Sequence, residues 1–240
     1  MSSFTAVIMA KRPEPGLVKT RLFGEGPFDA STAAQIAWAM LRCTVDRLAA
    51  RVMVVLAVTP DGCGGPLAER LGYPSLPTVD QGPGDLGQRL DRVWRQVTSV
   101  RPVAFFGSDS PDIPEDALHR RIPEALEVCD LAVGPTHDGG YWTLAARSHY
   151  PQVLRDIDWG GDRVYDQTCQ RAAEAGLSLQ SLPLWPDVDR LDDVIALRRR
   201  LAARNQASDA DTAGAAALRR LARRLNDLCG PDTQPEGTLP

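Results

Sequence analysis

The sequence predicts an α/β domain organised around a layered sheet, and three observations predict it. Short runs of apolar, often β-branched residues at Phe4–Ala10, Val52–Val58 and Val103–Phe106 have the length and composition of buried strands. Between them lie longer stretches with apolar residues at helical spacing, and such alternation favours an α/β sheet over an all-α or all-β domain. The 240 residues, 43% hydrophobic and 24% charged, suffice for one large domain with a sizeable core.

The elements follow in order. Phe4–Ala10 is the first strand, and Lys11–Phe28, rich in Pro, Gly and basic residues, is a loop. Ser31–Ala49 places Ile36, Ala37, Met40, Leu41, Val45 and Leu48 on a helical face, with Asp29 or Ser31 as N-cap. After the strand Val52–Val58, Asp61–Gly65 reads as a turn, Pro66–Leu71 as a short helix and Ser75–Val79 as a short strand. Leu86–Val97 is helical, and Val103–Phe106 is a strand that stops at Gly107. Glu115–Val128 is a helix with Pro114 suited to its first turn. Leu131–Val133 and Tyr141–Ala145 are strands around a Gly-Gly turn; Arg163–Ala175 is a helix, Leu177–Leu184 a strand and Leu191–Ala203 a helix. Asn205–Gly214 is a small, polar linker, Ala215–Leu228 a basic amphipathic helix and Gly230–Pro240 a disordered tail.

Charge and composition narrow the function. With 27 Lys and Arg against 31 Asp and Glu, the net charge is −4, so the chain has no general attraction for nucleic acid. A small anionic ligand remains open, because a few placed cations suffice for it. The five cysteines are scattered and form no C-x-x-C pair, which fits free, mostly buried thiols in a reducing cytoplasm. The longest apolar run is too short to span a bilayer, and the chain runs straight into its first strand without a leader pattern. A cytoplasmic protein without membrane partners is expected.

In an open α/β sheet, ligands bind beyond the carboxyl ends of the strands, so the segments that follow strands carry the chemistry. After the first strand comes KRPEPGLVKTRL, in which Lys11, Lys19 and Arg21 are three cations on one loop and Gly16 lets the backbone bend. Such a loop suits a polyphosphate, since Arg forks onto two oxygens and Lys supplies a point charge. It lacks the P-loop spacing. After Val103–Phe106 comes GSDSPD, where Asp109 at the sheet mouth suits a Mg²⁺ or Mn²⁺ ligand, while Asp112 reads as a turn or capping residue. In GPTHDGGYW, Asp138, Gly139 and Gly140 make a tight turn whose glycines also let an acceptor approach the backbone, and His137 reads as exposed. In LWPDVDRLDDV, Asp187 and Asp189 alternate, so in extended chain only one reaches a metal; Asp192 and Asp193 favour the positive end of the next helix.

These stretches, with QGPGDLGQRL, run in order from residue 11 to residue 194. Together they resemble the bacterial transferase family of radical-SAM/selenodomain-associated, or arsenosugar-biosynthesis, glycosyltransferases, and more distantly 2-phospho-lactate guanylyltransferases and molybdenum-cofactor nucleotidyltransferases. The resemblance implies a Rossmann-like GT-A (nucleotide-diphospho-sugar transferase) fold, a mixed, mostly parallel sheet with helices on both faces. It implies that Lys19 and Arg21 hold phosphates, with Lys11, Gly16 and Asp85 also at the nucleotide. It places Asp109 on the metal, with a second contact from the Asp187–Asp189 pair, Asp189 foremost. Asp138, Gly139, Gly140 and Trp159 fall at the acceptor, although Trp159 is followed by Gly160-Gly161 where that family often has a hydroxyl pair.

Residues 1–204 are thus expected to form a nucleotide-binding transferase domain, and residues 205–240 a linker, basic helix and tail. The expected reaction is metal-dependent nucleotidyl transfer from an NTP to a small phosphorylated acceptor, with release of pyrophosphate. Arg21, Lys19 and Asp109 are its catalytic set, Mg²⁺ or Mn²⁺ its cofactor, and nucleotide and small acceptor its partners. Glycosyl transfer from a nucleoside-diphosphate sugar is the alternative, a non-catalytic nucleotide-binding module a third, and a homodimer is left open.

Overall fold

Along the first strand, Ala6, Ile8 and Ala10 point to one face of the sheet and Val7 to the other, and both faces are buried. The computed structural model describes residues 4–23, 28–97, 102–207 and 212–230. In it, β1 (Thr5–Lys11), β2 (Met53–Thr59), β3 (Thr78–Asp80), β4 (Val103–Phe106), β5 (Leu131–Pro135), β6 (Tyr141–Ala146) and β7 (Leu179–Ser181) form one sheet in the order β3-β2-β1-β4-β6-β5-β7. All neighbours pair in parallel except β6, which runs antiparallel to both β4 and β5. The expected mixed, mostly parallel sheet is therefore what the chain forms.

Helices cover both faces, again as expected. On one face, α1 (Ala30–Ala49), α2 (Gly64–Arg70) and α4 (Ile122–Val128) bury Leu41, Val45, Leu67, Ile122 and Leu126 against strand residues such as Ile8, Leu56 and Phe106. On the other, α3 (Leu86–Val97) and α5 (Val164–Glu174) bring Leu90, Trp94 and Ala172 onto Val7, Phe105 and Leu144. Asp29 caps α1 by accepting the Thr32 N–H at 2.7 Å. A further cluster joins the outer side of α1 to α6 (Leu191–Ala207) and α7 (Ala213–Cys229), through Ile36, Met40, Leu197, Leu201, Leu218, Leu221 and Leu225. The basic C-terminal helix thus packs its leucine face on the body. Of the expected linker, Asn205–Ala207 continue α6 and Ala213–Gly214 begin α7, while 208–211, like tail residues 231–240, lie outside the described residues.

The strand expected over Ser75–Val79 pairs only at Thr78–Asp80, and two elements differ more deeply from expectation. The helix expected over Glu115–Val128 contains a π-turn at Ala117–Arg121, where the Ile122 N–H reaches back five residues to the Ala117 carbonyl. Pro123 follows immediately; it has no N–H to donate and its ring crowds the carbonyl four residues earlier, so a regular α-turn there is disfavoured. The strand expected over Leu177–Leu184 shortens to three paired residues at the sheet edge. Beyond them the extended chain makes only isolated bonds, Leu182 N–H to the Val133 carbonyl at 2.8 Å and Trp185 N–H to the Pro135 carbonyl at 3.1 Å.

Candidate functional site

The sheet reverses its winding between β1 and β4. From β1 the chain moves outward through β2 and β3, then returns to lay β4 on the other side of β1. Loops leaving two such strands depart in opposite directions and open a crevice at their carboxyl ends. Here that crevice is a cleft of about 280 Å³, lined by Met9 and Lys11 of β1, Gly107–Asp109 after β4, Val18 and Lys19 of the basic loop, and Asp189.

Lys19 bridges the cleft. Its ammonium lies 2.6 Å from Asp109 Oδ1 and donates to the Val188 carbonyl at 2.6 Å, with its side chain only 6% exposed. Its φ is +49°, a left-handed conformation uncommon for a residue with a Cβ and characteristic of functional loops. Gly16 supplies a second positive φ, +77°, where the loop turns. Arg21 reaches across to Asp189, Nη1 to Oδ2 at 2.6 Å, but 61% of its side chain is exposed. A pair that open contributes about 0–1 kcal/mol to stability, so Arg21 remains available to a ligand. The cleft therefore brings together Lys11, Lys19, Asp109 and Asp189, with Arg21 attached through Asp189.

Asp187 approaches from the same segment. The extended chain has no ladder there, so Asp187 and Asp189 are not held to opposite faces of a sheet. Burial pushes the Asp187 carboxyl above the usual aspartate range, helped by the nearby charges of Asp138, Asp109 and Asp193. Asp193 holds the turn into α6, its Oδ2 accepting the N–H groups of Asp189 at 3.0 Å and Arg190 at 2.7 Å. This is the helix-start role expected of it.

The loop behind Asp109 is anchored by two arginines that the sequence reading missed. Asp112, expected as a turn or cap residue, is instead fully buried: Arg200 of α6 binds both its oxygens, at 2.7 and 3.2 Å, and Trp185 Nε1 donates to it at 3.1 Å. Arg47 of α1, 2% exposed, donates to the carbonyls of Pro111, at 2.6 Å, and Ile113, and to Glu115 Oε1 at 2.8 Å. Burial opposes the Glu115 charge, yet His119 and Arg47 hold its pKa down to about 2. The Val188 N–H also donates to the Asp109 carbonyl at 2.9 Å, which ties the two acidic segments together. A signal for Arg47 does exist: it continues the apolar stripe Ile36, Met40 and Cys43 at helical spacing, where a charge needs a buried partner.

The remaining expected residues do not line the cleft itself, although the charge of Asp138 reaches Asp187. Asp85 caps α3: its Oδ1 accepts the Gln88 N–H at 2.8 Å, and Gln88 Oε1 accepts the Asp85 N–H at 3.1 Å. Asp138 closes its own turn, accepting from Thr136 Oγ1 at 2.6 Å and from the Gly140 N–H at 3.0 Å. Gly139, at φ +85°, is where the chain's own backbone comes close, since an added Cβ would meet the Asp162 carbonyl at 1.7 Å. Trp159 packs on Gly87 at the start of α3 and edge-on to Tyr141, with ring centroids 6.4 Å apart. His137 is exposed, as expected.

Among the described residues, no three His, Cys, Asp or Glu side chains converge closely enough to hold an ion unaided. The donor set fits a different arrangement, because Mg²⁺ needs only one or two carboxylates when phosphates and waters complete its shell. Asp109 and Asp189 line one cleft, and the crowding of negative charge around Asp187 is what a divalent cation would relieve.

Comparisons with known proteins bear on the fold that carries this cleft. Residues 44–161 match the model of a family described as an uncharacterized protein conserved in bacteria, DUF2064. The chain is similar, at 27% identity and a TM-score of 0.75, to the crystal structure of a proposed nucleotide-diphospho-sugar transferase from Desulfovibrio desulfuricans G20, over 95% of this chain and 99% of that one. It shares its fold with a nucleotidyl transferase from Methanothermobacter thermautotroptrophicus (16% identity, 85% and 100% covered, TM-score 0.53). The inositol-1-phosphate CTP transferase from T. maritima is similar in the same way (12% identity, 92% and 97% covered, TM-score 0.52). No curated protein matches the chain. The fold is thus the Rossmann-like fold of the nucleotide-diphospho-sugar transferases. Among the described residues no helix is long and apolar enough to cross a membrane.

Proposed function

We propose that the protein is a nucleotidyltransferase that joins an NTP to a small phosphorylated acceptor and releases pyrophosphate, with Mg²⁺ or Mn²⁺ as cofactor. The observation that carries this reading is the cleft at the β1–β4 switch, where two cations of one loop, Lys19 and Arg21, face two carboxylates, Asp109 and Asp189. Attack at the α-phosphorus moves charge onto the departing pyrophosphate. Lys19, a buried point charge, and Arg21, an exposed fork, would receive that charge. Asp109 and Asp189 would hold the metal, which supplies neutralisation of the phosphate oxygens. The side chains of Arg47 and Arg200 fix the loop of Asp109, so that its carboxylate needs little reorganisation. A protein nucleophile is not required, since the acceptor's own phosphate oxygen attacks. The nucleotidyl transferases among the solved neighbours support this reading at the level of fold.

A second reading is favoured by the likeness to the nucleotide-diphospho-sugar transferase at 27% identity: glycosyl transfer, in which the same cleft holds the diphosphate of a sugar donor. The two are separated by a pyrophosphate-release screen of NTPs with sugar and acid phosphates, run beside a screen for nucleoside-diphosphate release from nucleotide sugars. Pyrophosphate release that needs both NTP and acceptor supports the first; diphosphate release alone supports the second and overturns the first.

A further inference from the structure

The arginines of α7 take no part in the β1–β4 cleft. With α1 and α2 they border a separate groove of about 560 Å³, lined by Trp38, Gln35, Arg42, Arg70 and Arg224 and by Pro13–Pro15 of the loop after β1. Its cations outnumber its carboxylates: Arg42, Arg70 and Arg224 line it with a single acid, Glu14, which is paired with Arg12. The Arg70 guanidinium lies 3.9 Å over the Trp38 ring and has no ion pair among the described residues. Arg224 donates to the neutral Gln35 Oε1 at 2.5 Å. Arg42 and Arg220 share one buried carboxylate, Asp46, at 3.4 and 2.7 Å, and that carboxylate also accepts the Tyr73 hydroxyl. An adjoining hollow adds Arg223, also without an ion pair among the described residues, and one further carboxylate, Asp227.

Arg70, held on an indole face, and Arg224, held on an amide, keep N–H donors that no carboxylate among the described residues engages. That is the state in which arginine forks onto phosphate oxygens with the least loss of side-chain freedom. The groove's size is that of a small-molecule site rather than of a single phosphate, and several cations around it call for several anionic groups. The apolar face of α7 is committed to the core, which argues against insertion into a lipid surface. We propose that this groove binds a small oligophosphate of di- or triphosphate length, at a site separate from the cleft. Its lining by Pro13–Pro15 means that such a ligand would touch the loop that carries Lys19 and Arg21.

The experiment is calorimetric titration of the full chain, in EDTA, with sodium tripolyphosphate and in parallel with GTP. Saturable tripolyphosphate binding is expected, weakened ~10-fold by Arg70→Ala and again by Arg224→Ala, the loss typical of one charge-assisted bond, and unchanged by Arg120→Ala, an exposed arginine outside the groove. Both arginines are exposed, and melting curves check that the variants fold; Arg70→Gln provides a second, milder variant with the same expected direction. Tighter binding of GTP than of tripolyphosphate, with the difference lost in Trp38→Phe, identifies a nucleotide as the source of the phosphates. Equal binding identifies the phosphate chain alone. Absence of saturable tripolyphosphate binding, unaltered affinity in the double arginine variant, or loss of binding in Lys19→Ala instead overturns the proposal. Failure of the pyrophosphate screen would leave this result untouched.

Discussion

The loop after β4 has two ends that use the same residue type in opposite ways. At the cleft end, Asp109 is 51% exposed at the side chain and paired with one lysine. Three residues on, Asp112 is 0% exposed and saturated by Arg200 and Trp185. A buried carboxylate held by three hydrogen bonds and shut off from solvent cannot accept a ligand without breaking those bonds, whereas an open one with a single cation can exchange that partner. The back of the loop therefore fixes the position from which the front acts. The same contrast holds between the β1–β4 cleft and the β5–β6 turn. In the first, charges face open space; in the second, Gly139 is pressed on the chain's own Asp162 carbonyl.

Mutation should break the comparison at its two ends. Asp109→Asn should lower kcat by at least ~10³-fold, several kcal/mol of lost metal-borne charge stabilisation, with a melting curve close to wild type. Arg21→Ala should lower kcat with the best NTP by ~10² to 10³, as for one preorganised donor to developing charge. In the glycosyl-transfer reading it would instead raise KM and leave kcat nearly intact. Asp112→Ala should act the other way round from Asp109→Asn. It leaves the guanidinium of Arg200 unpaired in a part-buried setting, at a cost of about 3 kcal/mol read from the denaturation midpoint, while kcat of the folded fraction falls far less than in Asp109→Asn.

The smallest effect concerns pH. Because the Asp187 carboxyl binds its proton more tightly in the folded protein, its contribution is fully favourable below the ordinary aspartate value of 3.8 and is lost as pH rises through its raised pKa. Asp187→Asn should therefore raise the melting temperature of metal-free protein at pH 7, and the gain should disappear when melts are run below about pH 3.8, with both states then protonated. A constant gain at all pH values would show that the carboxylate's charge is not its cause.

Much of this was legible in the sequence. The strand Val103–Phe106 and the helix Leu86–Val97 have the bounds expected of them, because strong periodicity and flanking Gly or polar residues mark both. The cations after β1 and the carboxylate after β4 were found by one rule, that strand ends carry the site. The π-turn before Pro123 was missed because apolar spacing does not register which carbonyl a proline displaces. The edge strand β7 was overextended since composition alone cannot tell a paired extended segment from an unpaired one. Arg47 and Arg200 were missed for a different reason: their partners lie 64 and 88 residues away in sequence, so only the fold brings them together.

The central claim is that nucleotide phosphates and metal meet in the β1–β4 cleft. Its most direct test is anomalous diffraction from crystals soaked with Mn²⁺ and a non-hydrolysable nucleoside triphosphate. A manganese peak is expected at bonding distance, about 2.1 Å, from a carboxylate oxygen of Asp109, with phosphate oxygens on Lys19 and Arg21 and the Lys19–Asp109 pair broken. Triphosphate density found only in the arginine groove beside Trp38, with Lys19 still paired to Asp109 and no manganese there, would contradict it.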